Sequence, residues 1–303
     1  MQERKAWMKK EYLKRETMPE SIELNLCDFA LFLSVMKNKE AHEITLSIVM
    51  EKPDLKLEEI HVEEVVLNKS GKRAIRLDAW AKDTEGIQYN TEMQNDVGND
   101  DVRKRSRFYQ GLIDAPILKS GKETKYKRLP STVIVFITKE DIFGRDLAKY
   151  TFTEQCEEIE GLHLEDGTTK IFLNMTSKNG NPELVSLLQY MKKTNLDNPE
   201  ILVRDERILR LDSIVNEVKE SEEWEVVSMS IYSVALERGE TRGKDAKLID
   251  IICKKLRKGK SLGVIADELE EDIKVIQSIY EVASAFAPEY DSRKVAELWL
   301  SEK

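Results

Sequence analysis

Thr132-Val-Ile-Val-Phe-Ile137 is a run of six strand-forming, mostly apolar residues, with Pro130 just ahead of it and a charged segment behind. Side chains of a strand alternate between faces, so a run without alternation belongs to a strand buried on both sides, at the centre of a sheet. The flanking segments supply the rest of an α/β arrangement. Residues 60–67, 74–81 and 87–93 alternate enough to be strands of a meander, with turns at 68–72 and around 83–86. Residues 101–113 read as a helix in which Val102, Arg105, Phe108 or Tyr109, and Leu112 recur every three to four positions. Two helical patterns precede the strands. Phe29, Leu31, Phe32, Val35 and Met36 follow Asp28 as N-cap, and Ile44, Leu46, Ile48 and Val49 run toward Lys52 and stop before Pro53. Glu40 and Glu43 stand at the start of the second. The order is helix, three strands, helix, strand; residues 168–174 add another strand, 183–191 a helix and 195–199 a linker.

From residue 200 onward the pattern is helical throughout. Ile201, Ile208, Leu211, Ile214, Val215 and Val218 keep helical spacing, and helices continue through Arg238. Gly239-x-x-x-Gly243 is expected to break the pattern. Residues 246–256, 261–269 and 273–285 then read as three short helices, with Ser261 as an N-cap. The last two resemble a helix-turn-helix, but the second opens with Glu270-Glu-Asp272, which repels phosphate. A dimerising or partner-binding helical unit suits that charge better. The expected divisions are a charged lead-in at 1–20, an α/β domain at 21–195 and a helical tail at 196–303.

Composition excludes several classes. No run of eighteen apolar residues occurs among the 303, so no membrane span is expected. The start, Met-Gln-Glu-Arg-Lys-Ala-Trp-Met-Lys-Lys, lacks the apolar core of a signal peptide, and a cytoplasmic setting is the expectation. Cys27, Cys156 and Cys253 are odd in number and scattered, which fits reduced thiols rather than a disulfide framework. His42, His61 and His163 are far apart, so a zinc site is not expected. Without a Walker loop, a Gly-x-Gly-x-x-Gly fingerprint or a Gly-x-Ser-x-Gly elbow, no nucleotide cofactor is expected. Aromatics are only 7% and are not strung through the basic segment, so no groove for stacking single strands is indicated.

The chemistry concentrates between Arg76 and Gln94. Period-two alternation sets Asn90, Glu92 and Gln94 on one face. A loop centred on Glu85 makes opposite residue numbers sum to 170 and sets Asp78 across from Glu92, with Cβ atoms about 4.5–5.5 Å apart. Two unpaired acids that close repel, and one pKa rises unless a cation lies between them. By spacing alone, a metal site and a solvated hairpin face compete. Directly after this hairpin, residues 101–128 carry nine Lys/Arg against three acids, within a chain of net charge −9. Such a segment draws phosphate toward an acidic centre, or it is a solvated helix and loop.

Arg76-Leu-Asp78-Ala, Asn90-Thr-Glu92-Met-Gln94, Arg107-Phe-Tyr109, Leu129-Pro-Ser-Thr-Val-Ile-Val-Phe-Ile137, Asp141-Ile-Phe-Gly144 and Ser221-Glu-Glu-Trp224 together resemble the PD-(D/E)xK nuclease superfamily. The closer likeness is to its recombination-promoting nuclease and transposase family, Rpn, in which the second motif is Glu-x-Gln. The likeness runs from about residue 28 to beyond 243. It implies a restriction-endonuclease-like αβββαβ core, a mixed central sheet flanked by helices, with a C-terminal all-helical extension. It further implies a Mg²⁺- or Mn²⁺-dependent DNA endonuclease linked to recombination or mobile-element movement, acting on double-stranded DNA. A homodimer through the helical tail is expected. Asp78 and Glu92 are the expected metal ligands, with the backbone carbonyl of Met93 as a further one, since hard oxygens suit Mg²⁺. Gln94 stands where most of the superfamily has Lys; an amide orients a water but brings no positive charge. Arg103, Lys104 and Arg107 are candidates for DNA contact and for that missing charge. Tyr109 and Gln110 either lean over the site or pack. A first-helix Glu often completes such a site, and Glu40 is the choice over Glu43. The alternative is a nuclease fold that no longer cuts and serves as a DNA- or protein-binding regulatory partner.

Overall fold

The computed structural model describes residues 23–66, 75–95, 101–118 and 125–301. The lead-in at 1–20, the turn at 68–72, and Lys119 and Lys122 of the basic segment lie outside them. The chain divides into two compact units, one ending at Glu225 and one spanning Val226–Lys303.

The first unit is α/β, built on one open, mixed sheet of six strands. These are β1 (Leu57–Val66), β2 (Ile75–Asp83), β3 (Gln88–Gln94), β4 (Thr132–Thr138), β5 (Lys149–Phe152) and β6 (Thr168–Asn174), in the spatial order β1-β2-β3-β4-β6-β5. β1, β2 and β3 form the antiparallel meander that alternation predicts, while β3, β4 and β6 run parallel. β4 is buried at every residue, as a strand apolar at each step must be. β5 is an addition that no pattern announced: four residues pairing antiparallel with the outer side of β6. The Asp141-Ile-Phe-Gly144 stretch leading to it is a staple. The Asp141 carboxylate accepts the N–H groups of Phe143, Arg145 and Asp146 and the Tyr150 hydroxyl.

Helices α1 (Phe29–Met36) and α2 (Lys39–Val49) precede the sheet, and α3 (Val102–Asp114) crosses over from β3 to β4. α3 packs on one face of the sheet through Tyr109, Ile113, Ile134, Phe136 and Phe172. Val133, Val135 and Ile137, of opposite parity on β4, are as deeply buried on the other side. α2 is capped by Asn38, whose side chain accepts the Glu40 and Ala41 N–H groups. Asp28 does occupy the N-cap position of α1, but its carboxylate takes the Asn25 N–H instead of a helix donor.

Helices α4 (Pro182–Lys192) and α5 (Glu206–Lys219) complete this unit, which moves the expected boundary at 195/196. The segment between them is pinned by Asn198, which donates to the Gln189 carbonyl, and Tyr190 donates to Asp212 on α5. Ile208, Leu211, Ile214 and Val215 of α5 are buried. Helical periodicity marks an apolar face but does not say which core receives it.

The second correction concerns Gly239 and Gly243. α6 runs unbroken from Glu222 to Arg257, 36 residues. A glycine in a helix costs about 1 kcal/mol, which a long helix rich in good formers absorbs. In the second unit, α6 joins α7 (Leu262–Leu269), α8 (Ile273–Ser284) and the unanticipated α9 (Ser292–Ser301) around Ile249, Ile252, Ile265, Ile276, Ile279 and Val295. Among the described residues no helix is long and apolar enough to cross a membrane.

The β2–β3 turn is organised by Asp83. Asp83 accepts the Glu85 and Ile87 N–H groups on Oδ1 and the Tyr89 hydroxyl on Oδ2, and Gly86 sits at φ 84°. A Cβ at Gly86 meets nothing within 4 Å, so Gly86→Ala tests the left-handed backbone alone. The expected loss is about 1 kcal/mol in a denaturant titration; an unchanged midpoint would contradict this account of the turn.

Candidate active site

β2 and β3 pair as Lys82↔Gln88, Ala81↔Tyr89, Trp80↔Asn90 and Ala79↔Thr91, the register expected from a loop centred on Glu85. At the next position the backbone ladder gives way and side chains take over. Glu92 Oε1 accepts the Asp78 N–H at 3.1 Å, and Asp78 Oδ2 accepts the Met93 N–H at 3.1 Å. On the other side of β2, the pairing runs from Val62↔Ala79 to Glu64↔Leu77 in one register, and Glu63 between them has φ 58°. β2 and β3 thus part where the acids lie, and each carboxylate accepts a backbone N–H of the facing strand. Asp78 is 6% exposed and Glu92 is fully buried.

Two like charges so placed need a neutraliser, and the structure supplies Arg105. Its Nη1 donates to Gln94 Oε1 at 2.8 Å and its Nη2 to Glu92 Oε2 at 3.1 Å. The guanidinium lies 5.4 Å from the Tyr109 ring centre and 5.3 Å from that of Phe136, aromatic faces that favour a cation. Asn90 Nδ2 adds a bond to Glu92 Oε1 at 2.9 Å, so Asn90, Glu92 and Gln94 do share a face. Burial, and then the charge of Glu92, push Asp78 up to about 7. Glu92 is also pushed up by burial, against the pull of Asn90, the Asp78 N–H and Arg105.

Arg105 reaches this point because of how α3 starts. Asp101 caps it, accepting the Arg103 and Lys104 N–H groups. The first turn of α3 stands beside the carboxyl ends of the parallel strands β3 and β4, where α/β sheets usually place their ligand crevices. The sequence did contain a signal for Arg105. It falls in the apolar stripe with Val102 and Tyr109, and a cation on the buried face of a helix requires a buried partner.

The other expected residues are distributed differently. Lys104 lines the cleft in front of the acids, 3.6 Å from Asp101, while Arg103 is exposed and also pairs with Asp101. Arg107 is exposed and does not line the cleft. Tyr109 lines it, and Gln110 is structural, bonding Thr132 and Asp114. Since Gln110 meets the start of β4 and Arg105 meets the end of β3, α3 runs the length of the strands. The described basic residues are therefore split between its two ends, with Lys125, Lys127 and Arg128 near the start of β4. Glu40 is not brought to the acids. It is exposed and paired with Arg210 at 2.7 Å, whose hydrogen bond holds its carboxyl below the usual range. Glu43 accepts the Leu57 N–H and pairs with Lys56. A helix and a hairpin distant in sequence meet only through the tertiary fold, which helical spacing cannot encode.

Asp78 and Glu92 open on a cleft of about 660 Å³, with Met93, Gln94 and Arg105 beside them and Phe29, Arg76, Lys104 and Phe108 also lining it. Among the described residues no group of three or more His, Cys, Asp or Glu side chains is arranged to hold a metal ion. Two adjacent hard carboxylates remain a suitable donor set for Mg²⁺, which commonly takes one or two protein carboxylates and completes its shell with water and phosphate oxygen. The upward push on Asp78 reflects the same need for positive charge.

Comparison with models of known protein families, with curated proteins and with solved structures found no match in any of the three.

Proposed function

We propose that this chain is a metal-dependent DNA endonuclease with a PD-(D/E)xK-type core, hydrolysing phosphodiester bonds at Asp78 and Glu92. The observation that supports it best is the pair of buried carboxylates, held side by side where the β2–β3 ladder parts and open to a cleft with cations on its wall. A stable fold has little reason to bury two adjacent acids, since the desolvation is costly unless a ligand or ion is recovered in return. Asp78, Glu92 and the Met93 carbonyl would hold Mg²⁺ or Mn²⁺, which supplies Lewis acidity toward the phosphate and the attacking water. Arg105 takes the cationic role that Gln94 lacks and fixes Oε1 of Gln94, so any bond from Gln94 to a substrate oxygen comes from its NH2 end. Lys104 meets phosphate at the mouth of the cleft. The family likeness attaches this activity to recombination or mobile-element movement, and the helical unit at Val226–Lys303 is proposed to dimerise.

One observation favours the second reading, a nuclease fold that binds without cutting. Arg105 already satisfies Glu92 Oε2 and Gln94, so a guanidinium stands where a metal's charge is needed. Nicking of supercoiled plasmid separates the two. Wild type is expected to nick with Mg²⁺ or Mn²⁺, and Asp78→Ala is not. No nicking by wild type with either ion sinks the enzyme reading, and a gel shift without cleavage supports the binding one. In the same assay Glu40→Ala is expected to cut within about twofold of wild type, because an exposed surface ion pair contributes little. A loss of tenfold or more would restore Glu40 to the site.

A further inference from the structure

We propose that the substrate of this cleft is unpaired DNA, a single strand or a splayed end, held by base stacking on Phe29 and Phe108. The proposal rests on the nuclease reading and names its substrate class; it departs from the duplex that sequence likeness implied. Phe29 is 37% exposed and Phe108 is 41% exposed, and both line the cleft that holds the acids. They come from separate elements, the first residue of α1 and the middle of α3. That is why no aromatic pattern was visible in the basic segment. The Arg76 guanidinium lies 5.6 Å from the Phe29 ring centre while pairing with Glu63. A planar cation on that ring occupies the kind of surface a base uses, since both bind its π face.

Charge points the same way. The cleft wall carries Arg76, Lys104 and Arg105 against Asp78, Glu92 and Asp101, an even balance within a chain of net charge −9. Duplex DNA presents about one phosphate charge per 1.7 Å and is gripped by extended basic tracks. Among the described residues, the basic residues of the α3 region are divided between the two ends of that helix. A single strand carries half that charge density and also offers its bases, so aromatic rings beside a few cations match it better than they match a duplex.

The test uses full-length wild type in EDTA, so that binding is read without cleavage, with fluorescein-labelled DNA at fixed salt. The probes are a single strand, a blunt duplex of the same sequence, and a duplex with splayed ends. In fluorescence anisotropy, single-stranded and splayed DNA are expected to bind at least about tenfold more tightly than blunt duplex. Phe29→Ala and Phe108→Ala are each expected to weaken single-strand binding about 5- to 150-fold, the range of one lost base stack. Phe108→Tyr keeps the ring and is expected to bind like wild type, whereas Phe108→Leu keeps only the apolar bulk and is expected to behave like the Ala variant. Equal or tighter binding of blunt duplex, indifference to the Phe substitutions, or absence of binding to all three probes overturns the proposal. Adding Mn²⁺ separates it from the reading beneath it. Phe-dependent single-strand binding without cleavage removes the nuclease and keeps the substrate class. Cleavage indifferent to both Phe residues does the reverse.

Discussion

Asp78→Asn is expected to make the metal-free protein more stable at about pH 8 while abolishing metal-dependent cleavage. Asp78 is pushed from its ordinary value of 3.8 to about 7, first by burial and then by the charge of Glu92. The native state therefore holds this proton over a range in which the unfolded chain has released it. The stability tied to the protonated carboxyl is fully present below about pH 4, falls as pH rises, and is lost above about 7. Asn has the same shape, still offers an oxygen to the Met93 N–H, and carries no charge. Its advantage is expected to be negligible near pH 4, to grow between about pH 4 and 7, and to level off at about 4 kcal/mol, or roughly 10 °C in melting temperature. Thermal unfolding in EDTA across that range measures it. An Asn variant less stable than wild type at about pH 8 would show the carboxylate to be a stabilising group and remove the argument for a site held ready for a cation. Mg²⁺ is expected to stabilise wild type and not the variant.

Arg105→Met is expected to have the opposite sign. Glu92 is fully buried and bonded to Arg105 at 3.1 Å. Removing the guanidinium leaves a buried carboxylate pair without its counter-charge, a loss of about 3–5 kcal/mol near pH 8. That loss shrinks as pH falls toward about 5. Without Arg105 both acids take up protons at higher pH in the native state, and proton uptake recovers the stability. Arg105→Lys retains the charge but not the fork that spans Glu92 and Gln94, so an intermediate loss is expected. Cleavage by the Met variant is expected to fall about 100-fold or more if Arg105 stabilises charge developing on the phosphate. Cleavage that rises in the Met variant would identify Arg105 as an obstruction, and the binding-only reading would then hold for the wild-type chain. Denaturant titrations at two pH values and the plasmid assay together decide it.

What was legible in the chain was local. The β2–β3 register followed from period two and one turn, and that turn is held by the neighbouring Asp83, Tyr89 and Gly86. α3 was legible through its periodicity and β4 through its unbroken apolar run. β5 was not, because four residues at a sheet edge have no pattern of their own and pair only once β6 is in place. The apolar stripe of α5 was legible, but not the core that receives it. Gly239 and Gly243 misled because a propensity of about 1 kcal/mol is a weak signal beside the rest of a long helix.

The site divides along the same line. By itself the sequence set Asp78 and Glu92 across one hairpin, since a turn centred on Glu85 and period-two alternation together fix the register. Only the tertiary structure decided that the ladder parts there, that Arg105 is the cation between Glu92 and Gln94, that Glu40 turns to Arg210, and that Phe29 joins Phe108 at the cleft. Those meetings join segments far apart in the chain, and they are set by how helices pack on a sheet, a constraint that no spacing within a single segment records.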